Sequence, residues 1–194
     1  MHSRPRRTPL PGGNGGFTLL ELIIVISILS IIGLVVFPRI SSFLQGERGR
    51  FVLLTGIIAK TFDDAFLRGN MNYCVIHLNQ GNAEMTEYDD RIFSRKNGIS
   101  VVTLAPDGKF FESPNRLLKY QSFPDSFRFE EVLLENGESA AQGNVLIPFY
   151  PAGYADNAIL HILVNGSDRW SVRIYRFKKE AKIISGYVTF EQGI

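Results

Sequence analysis

A single carboxylate lies inside the most apolar stretch of the chain. Residues 16–37 read GFTLLELIIVISILSIIGLVVF, and Glu21 is the one charge among them. Phe17 to Phe37 is 21 residues. As a helix at 1.5 Å per residue they cover about 31 Å, which matches the roughly 30 Å hydrocarbon core of a bilayer. A helix that is apolar all round must be covered by lipid or by other helices, so this segment cannot stand alone in water. Glu21 is then the residue to explain. An acidic side chain costs about 2.5–3.5 kcal/mol at the centre of a membrane helix and less near an end. Either the headgroup region solvates it, or a partner charge meets it.

Residues 1–16, MHSRPRRTPLPGGNGG, contain Arg4, Arg6 and Arg7 and no acid. By the positive-inside tendency this leader stays cytoplasmic and the C-terminal part lies outside. A secretory signal peptide has a shorter apolar core followed by a small-residue cleavage site. Here Pro38-Arg39-Ile40-Ser41-Ser42 follows the core, and Gly15-Gly16 precedes it. A cut after Gly16 would keep the apolar helix in the mature chain. It would also create a free amine on Phe17, one helical turn from Glu21. Such a pair, within one helix or between packed helices, attracts strongly in a low dielectric and fixes axial register.

The formal net charge is +2. Without the three leader arginines, 18 basic residues face 19 acidic ones, so the balance gives no reason to expect nucleic acid. Cys74 is the lone cysteine; it excludes an internal disulfide and reads as a small buried hydrophobe.

Past Pro38, whose ring removes a helix hydrogen bond and bends the chain, the pattern becomes amphipathic. Phe51, Leu54, Ile58, Phe62 and Ala65 recur at helical spacing, with Arg48, Arg50, Lys60, Asp63 and Asp64 at polar positions. Gly46 and Gly49 weaken this helix, and Gly69-Asn70 ends it. Strands are predicted at Met71–Asn79, Ala83–Tyr88, Ile99–Leu104, Ser126–Leu134, Asn144–Phe149, Ala158–Val164, Trp170–Phe177 and Lys182–Phe190, separated by Asn/Gly-rich turns. The expected fold class is α+β: a long N-terminal helix, part membrane and part amphipathic, packed on an antiparallel β domain of two sheets. The expected divisions are a leader at 1–16, the helix at 17–69 with 17–37 transmembrane, and a β domain at 70–194.

The N-terminal residues closely resemble the signal of type IV pilins and type II secretion pseudopilins. Arg4, Arg6 and Arg7 match the basic leader, and Gly16 matches the residue after which prepilin peptidase cleaves. Phe17 corresponds to the N-methylated first residue, Thr18-Leu19-Leu20-Glu21 completes the signature, and Pro38 matches the proline of the family helix. The resemblance implies that Glu21 neutralises the N-terminal amine of an adjacent subunit. Asp64-Ala65-Phe66-Leu67-Arg68-Gly69 and Ile147-Pro148-Phe149-Tyr150-Pro151-Ala152-Gly153 resemble the helix end and hairpin region of the H-type minor pseudopilins, general secretion pathway protein H of the GspH/FimT family. Lys178-Lys179-Glu180-Ala181 stands where that family has a glycine-containing turn before its last strand.

Elsewhere little catalytic chemistry is legible. His2, His77 and His161 lack metal-ligand spacing, and the two strand histidines read as solvent-facing or as hydrogen-bonded structural residues. No G-x-S-x-G elbow is present. Glu84, Glu87, Asp89 and Asp90 lack the spacing of a calcium loop and read as a solvated face. Arg173, Arg176, Lys178, Lys179 and Lys182 cluster near one hairpin. FimT-like minor pilins use such a patch for DNA, but no aromatic stacking platform can be placed beside it from sequence.

The expectation is therefore a non-enzymatic filament subunit without cofactor, metal or nucleic-acid ligand. It would sit in the bacterial inner membrane with its β domain periplasmic. The resemblance implies other pseudopilins or pilins, prepilin peptidase, the secretion machinery and its cargo as partners. The rival readings are a FimT/FimU-like minor pilin of a type IV pilus and a membrane-tethered periplasmic domain unrelated to filaments.

Overall fold

The computed structural model describes residues 19–31, 46–78, 90–105 and 107–191. The chain divides into two compact units, Met1–Ser42 and Phe43–Ile194.

In the first unit, residues 19–31 form a helix, α1, with every side chain exposed. Leu19, Leu20, Ile23, Leu29 and Ile31 are each more than half accessible. Its two serines do not interrupt the apolar surface. Ser27 Oγ donates to the Ile23 carbonyl and Ser30 Oγ to the Ile26 carbonyl, each at 2.8 Å, so each hydroxyl is satisfied within the helix. Among the described residues no helix is long and apolar enough to cross a membrane; residues 17, 18 and 32–37 of the apolar run lie outside them.

The second unit begins with α2, Glu47–Arg68. Gly46 is extended (φ −71°, ψ 167°), so α2 has its own N-terminus there; residues 32–45 of the helix expected at 17–69 lie outside the described residues. Phe51, Leu54, Ile58 and Ala65 are buried, as their spacing demands, and Ile57 and Thr61 join them. Gly69 closes the helix at φ 67°, a left-handed cap that a side chain would strain.

Among the described residues eleven strands follow: β1 Asn72–His77, β2 Gly98–Leu104, β3 Phe110–Glu112, β4 Gln121–Ser122, β5 Phe127–Leu134, β6 Ser139–Ala140, β7 Asn144–Tyr150, β8 Tyr154–Ala155, β9 Ala158–Val164, β10 Asp168–Tyr175 and β11 Lys178–Ser185. They build two antiparallel sheets. One runs β3-β2-β1-β7-β8 with β4 also on β2; the other runs β11-β10-β9-β5-β6. A short helix, α3 (Asp90–Phe93), and a 3-10 turn at Arg116–Leu118 complete the unit.

One apolar core joins both sheets to α2. It includes Leu54, Ile58, Cys74, Ile76, Phe127, Phe129, Ile147, Leu160, Ile162 and Val172. Phe51 packs on Phe127 and Trp170 with ring centroids 4.9 and 5.5 Å away, and Phe62 meets Phe149 at 6.3 Å. The other face of the first sheet carries a smaller cluster of Val75, Ile92, Phe93, Val102 and Phe110, which α3 helps to close.

Polar contacts pin α2 at both ends. Asn165 Nδ2 donates to Glu47, and Arg50 to Ser126 Oγ at 2.9 Å, tying the helix start to turns of the second sheet. At the other end Asp64 accepts from Arg68 and from Asn72 Nδ2, and Asn72 Oδ1 accepts from Thr103 Oγ1 at 2.7 Å. Asp64 is therefore buried rather than on the polar face expected for it. A carboxylate is tolerated there because neighbouring donors satisfy it.

The structure corrects the last hairpin. β10 ends at Tyr175, a two-residue turn at Arg176-Phe177 follows, and Tyr175 pairs with Lys178. Lys178-Lys179-Glu180-Ala181 is thus the first half of β11 and not a turn. The register shift between Arg173 and Tyr175 absorbs the extra residues, as a bulge does. The last strand is Lys178–Ser185 instead of Lys182–Phe190, and residues 187–190 are not strand. The short elements α3, β3, β4, β6 and β8 had no sequence counterpart, and the strand expected at Ala83–Tyr88 lies outside the described residues.

Candidate functional site

Of the residues singled out at the N-terminus, Glu21 lies in α1, exposed among apolar neighbours. Gly16, Phe17 and Pro38 fall outside the described residues. The helix-end motif is fully described. Arg68 reaches back one turn to Asp64 at 2.9 Å, and the Asp64–Asn72–Thr103 chain carries this contact on into β1 and β2. The arginine therefore braces the carboxylate that anchors the helix, a role in which the motif holds the fold together.

Both strand histidines are hydrogen-bonded and buried. His77 Nδ1 lies 2.6 Å from Asn144 Oδ1, and its Nε2 lies 2.8 Å from Ser100 Oγ. Asn144 Nδ2 donates to the Phe93 carbonyl, which leaves its oxygen to accept from His77. The ring is thus the neutral Nδ1–H tautomer, with Nε2 accepting from Ser100. Burial pushes the imidazole from its ordinary 6.5 down to about 4, against the opposing hydrogen bond to Asn144.

Linkage then predicts acid sensitivity. Between those two values the unfolded chain binds a proton that the folded chain refuses. The His77 contribution to stability is complete above about pH 6.5 and is lost as pH drops towards about 4, by on the order of 3 kcal/mol. Denaturation midpoints at about pH 7 and about pH 4.5 should therefore diverge more in the wild type than in His77→Gln. Equal acid losses would remove His77 as the cause.

The basic cluster is largely engaged. Arg176 pairs with Glu135, and Lys179 with Asp63 at 2.7 Å. Arg173 lies over the rings of Tyr175 and Phe190, and Lys178 lies over Tyr175 at 4.8 Å. Aromatic partners that sequence could not place do flank the patch, but they already stack on its cations. A cleft of about 350 Å³ opens beside it, lined by residues including Leu134, Glu135, Leu146, Asp156 and Arg176. Two of its charged side chains, Glu135 and Arg176, bind each other.

Cys74 is fully buried, and burial raises its thiol to about 12, so it stays protonated and unreactive. Among the described residues no group of three or more His, Cys, Asp or Glu could hold a metal ion. Asp90 opens α3, whereas Glu84, Glu87 and Asp89 lie outside the described residues.

Sequence reasoning also missed a site at the C-terminus. Residues 186–191 fold back across β9 and β10 through side-chain contacts and a backbone bond from the Gly186 amide to the Arg169 carbonyl, a placement that no turn or periodicity signal encodes.

An apolar helix bearing one early carboxylate thus precedes an antiparallel β domain of two sheets. The family model of the prokaryotic N-terminal methylation motif matches residues 12–37. No curated protein sequence matches the chain significantly. Two solved structures of the minor pseudopilin EpsH, from the type II secretion system of Vibrio cholerae, are similar to it. One is 12% identical with a TM-score of 0.42, over 70% of this chain and 95% of that one. The other is 11% identical with a TM-score of 0.48, over 69% and 92%.

Proposed function

We propose that this chain is a minor pseudopilin of the H type in a type II secretion system, built into a periplasmic filament that helps export folded proteins. The observation that carries this reading is the methylation motif at residues 12–37, with Glu21 just inside an exposed apolar helix. In this reading residues 1–16 are a leader that prepilin peptidase removes after Gly16, and the Phe17 amine is methylated. Residues 17–37 hold the chain in the inner membrane until they enter the filament core, where Pro38 bends the helix. Glu21 neutralises the amine of an adjacent subunit and sets the axial register.

The unit from Phe43 onward faces neighbouring subunits or cargo. Phe66, Leu67 and Phe177, exposed by 61, 74 and 77%, supply apolar contact there. The work is mechanical, and no reaction is assigned to the chain. Membership of a type IV pilus is the second reading. The engaged state of Arg173, Arg176, Lys178 and Lys179 disfavours the DNA-uptake version of it.

Processing tests the proposal directly. Intact-mass measurement on protein extracted from membranes of the producing bacterium should show residues 1–16 missing and one methyl group added. A chain still starting at Met1, or one cut after the apolar core, would refute it.

A further inference from the structure

The segment 186–191 is held to the second sheet without strand pairing. It departs from β11 at Gly186, whose φ is 83°, a conformation that glycine adopts without strain. Ser171 Oγ donates to the Gly186 carbonyl at 2.7 Å and accepts from the Val188 amide at 3.1 Å. Tyr187 stacks on His161 at 4.3 Å with rings 4° from parallel, while Arg169 lies 5.3 Å over the Tyr187 ring. The Tyr187 hydroxyl donates to Glu130 at 2.6 Å, and Arg173 lies over Phe190. Val188 is buried, and its carbonyl lies 3.0 Å from His161 Nε2.

His161 occupies an unusual position within this strap. Its Nε2 faces a carbonyl and its Nδ1 faces a Glu131 carboxylate oxygen at 3.1 Å. A neutral imidazole has one N–H and can serve only one of two acceptors, whereas the imidazolium serves both. We propose that His161 is a proton-operated latch: in its charged form it bonds Glu131 and Val188 together, and on losing a proton to solvent it gives up one of them and loosens the strap.

The groups around the ring come from every neighbouring element. Glu131 lies on β5, Ser171 on β10, and Tyr187 and the Val188 carbonyl on the strap. Glu130, Arg128 and Arg169 lie one contact further out. Tyr187 and Glu130 keep their states near neutrality. Burial and the bond to Glu130 push the phenol far above its ordinary range. For Glu130, burial acts to raise the carboxyl, but the bonds from Tyr187 and Arg128 outweigh it and hold it low. Release would bare Ser171, Arg173 and His161 on the outer face of β9 and β10.

Hydrogen–deuterium exchange on the full chain in detergent tests the latch. Protection at Val188, corrected for the intrinsic pH dependence of exchange, should fall about tenfold or more as pH rises through the range where imidazoles discharge. His161→Gln keeps an uncharged donor towards Val188 and should abolish that fall; Glu131→Gln should flatten it. Near-UV circular dichroism confirms folding of each variant, and Glu131→Gln carries the test if His161→Gln does not fold. Constant protection across pH in the wild type, or an undiminished fall in the folded variants, overturns the proposal.

Discussion

Glu21→Ala should leave the chain in the membrane but cut its co-purification with other pilin-like subunits on the order of 100-fold. Removing the carboxylate makes insertion easier, because the cost of placing an acid in the apolar phase disappears. Assembly should suffer instead. If Glu21 meets the amine of an adjacent subunit in the filament core, the substitution leaves that amine buried without a counter-charge. Breaking a buried pair in this way costs about 3–5 kcal/mol, and each 1.4 kcal/mol is about tenfold in an association constant. The second unit should melt unchanged, since the Glu21 side chain is exposed and α1 belongs to the other unit. A membrane tether that merely displays a periplasmic domain has no use for the carboxylate. Undiminished co-purification would therefore favour the tether and sink the filament reading.

Asn97→Ala should destabilise the second unit by about 4 kcal/mol in chemical or thermal denaturation. Asn97 is buried at φ 45°. Its Nδ2 donates to the carbonyls of Phe123, Pro124 and Phe127 at 2.9, 3.2 and 3.1 Å, and its Oδ1 accepts from the Phe129 amide at 3.1 Å. One side chain thus ties the start of β2, in the first sheet, to the entry of β5 in the second. Alanine removes every one of these partners while the backbone groups stay buried. Each orphaned group costs about 1–3 kcal/mol, tempered because three carbonyls share two N–H donors. Asn97→Gly relieves the left-handed backbone and should recover about 1 kcal/mol of the loss, no more. A loss under about 1 kcal/mol for alanine would mean that water or rearrangement replaces the side chain.

Apolar and β-branched runs bounded by turn residues were legible in the sequence, whereas the strand expected at Trp170–Phe177 lies two residues earlier, at Asp168–Tyr175. Ala158–Val164 was placed to the residue, and β2, β5 and β7 to within one. Strands β4, β6 and β8 have two residues each, too few to display a period, and they form because a longer neighbour offers unpaired backbone groups. The lysine-rich start of β11 read as a turn because charged residues are rare inside strands. On an edge strand they are favoured, since they discourage further pairing. Asp64 followed Asp63 on a nominally polar face. Its burial depends on Asn72, eight residues on, and on Thr103 beyond it.

What the sequence determined by itself is the N-terminal segment. The apolar run, its one carboxylate, the glycine junction and the proline form a pattern along a single line of chain, where spacing alone carries the meaning. The tertiary structure decided which polar side chains become interior fastenings. Asn97 serves residues 26–32 positions away, Glu47 meets Asn165, and His161 closes on a segment 27 residues downstream. None of these pairings has a local signature, because each exists only after two sheets and a helix have brought distant backbone groups out of water. The cost of leaving those groups unpaired then selects the partner.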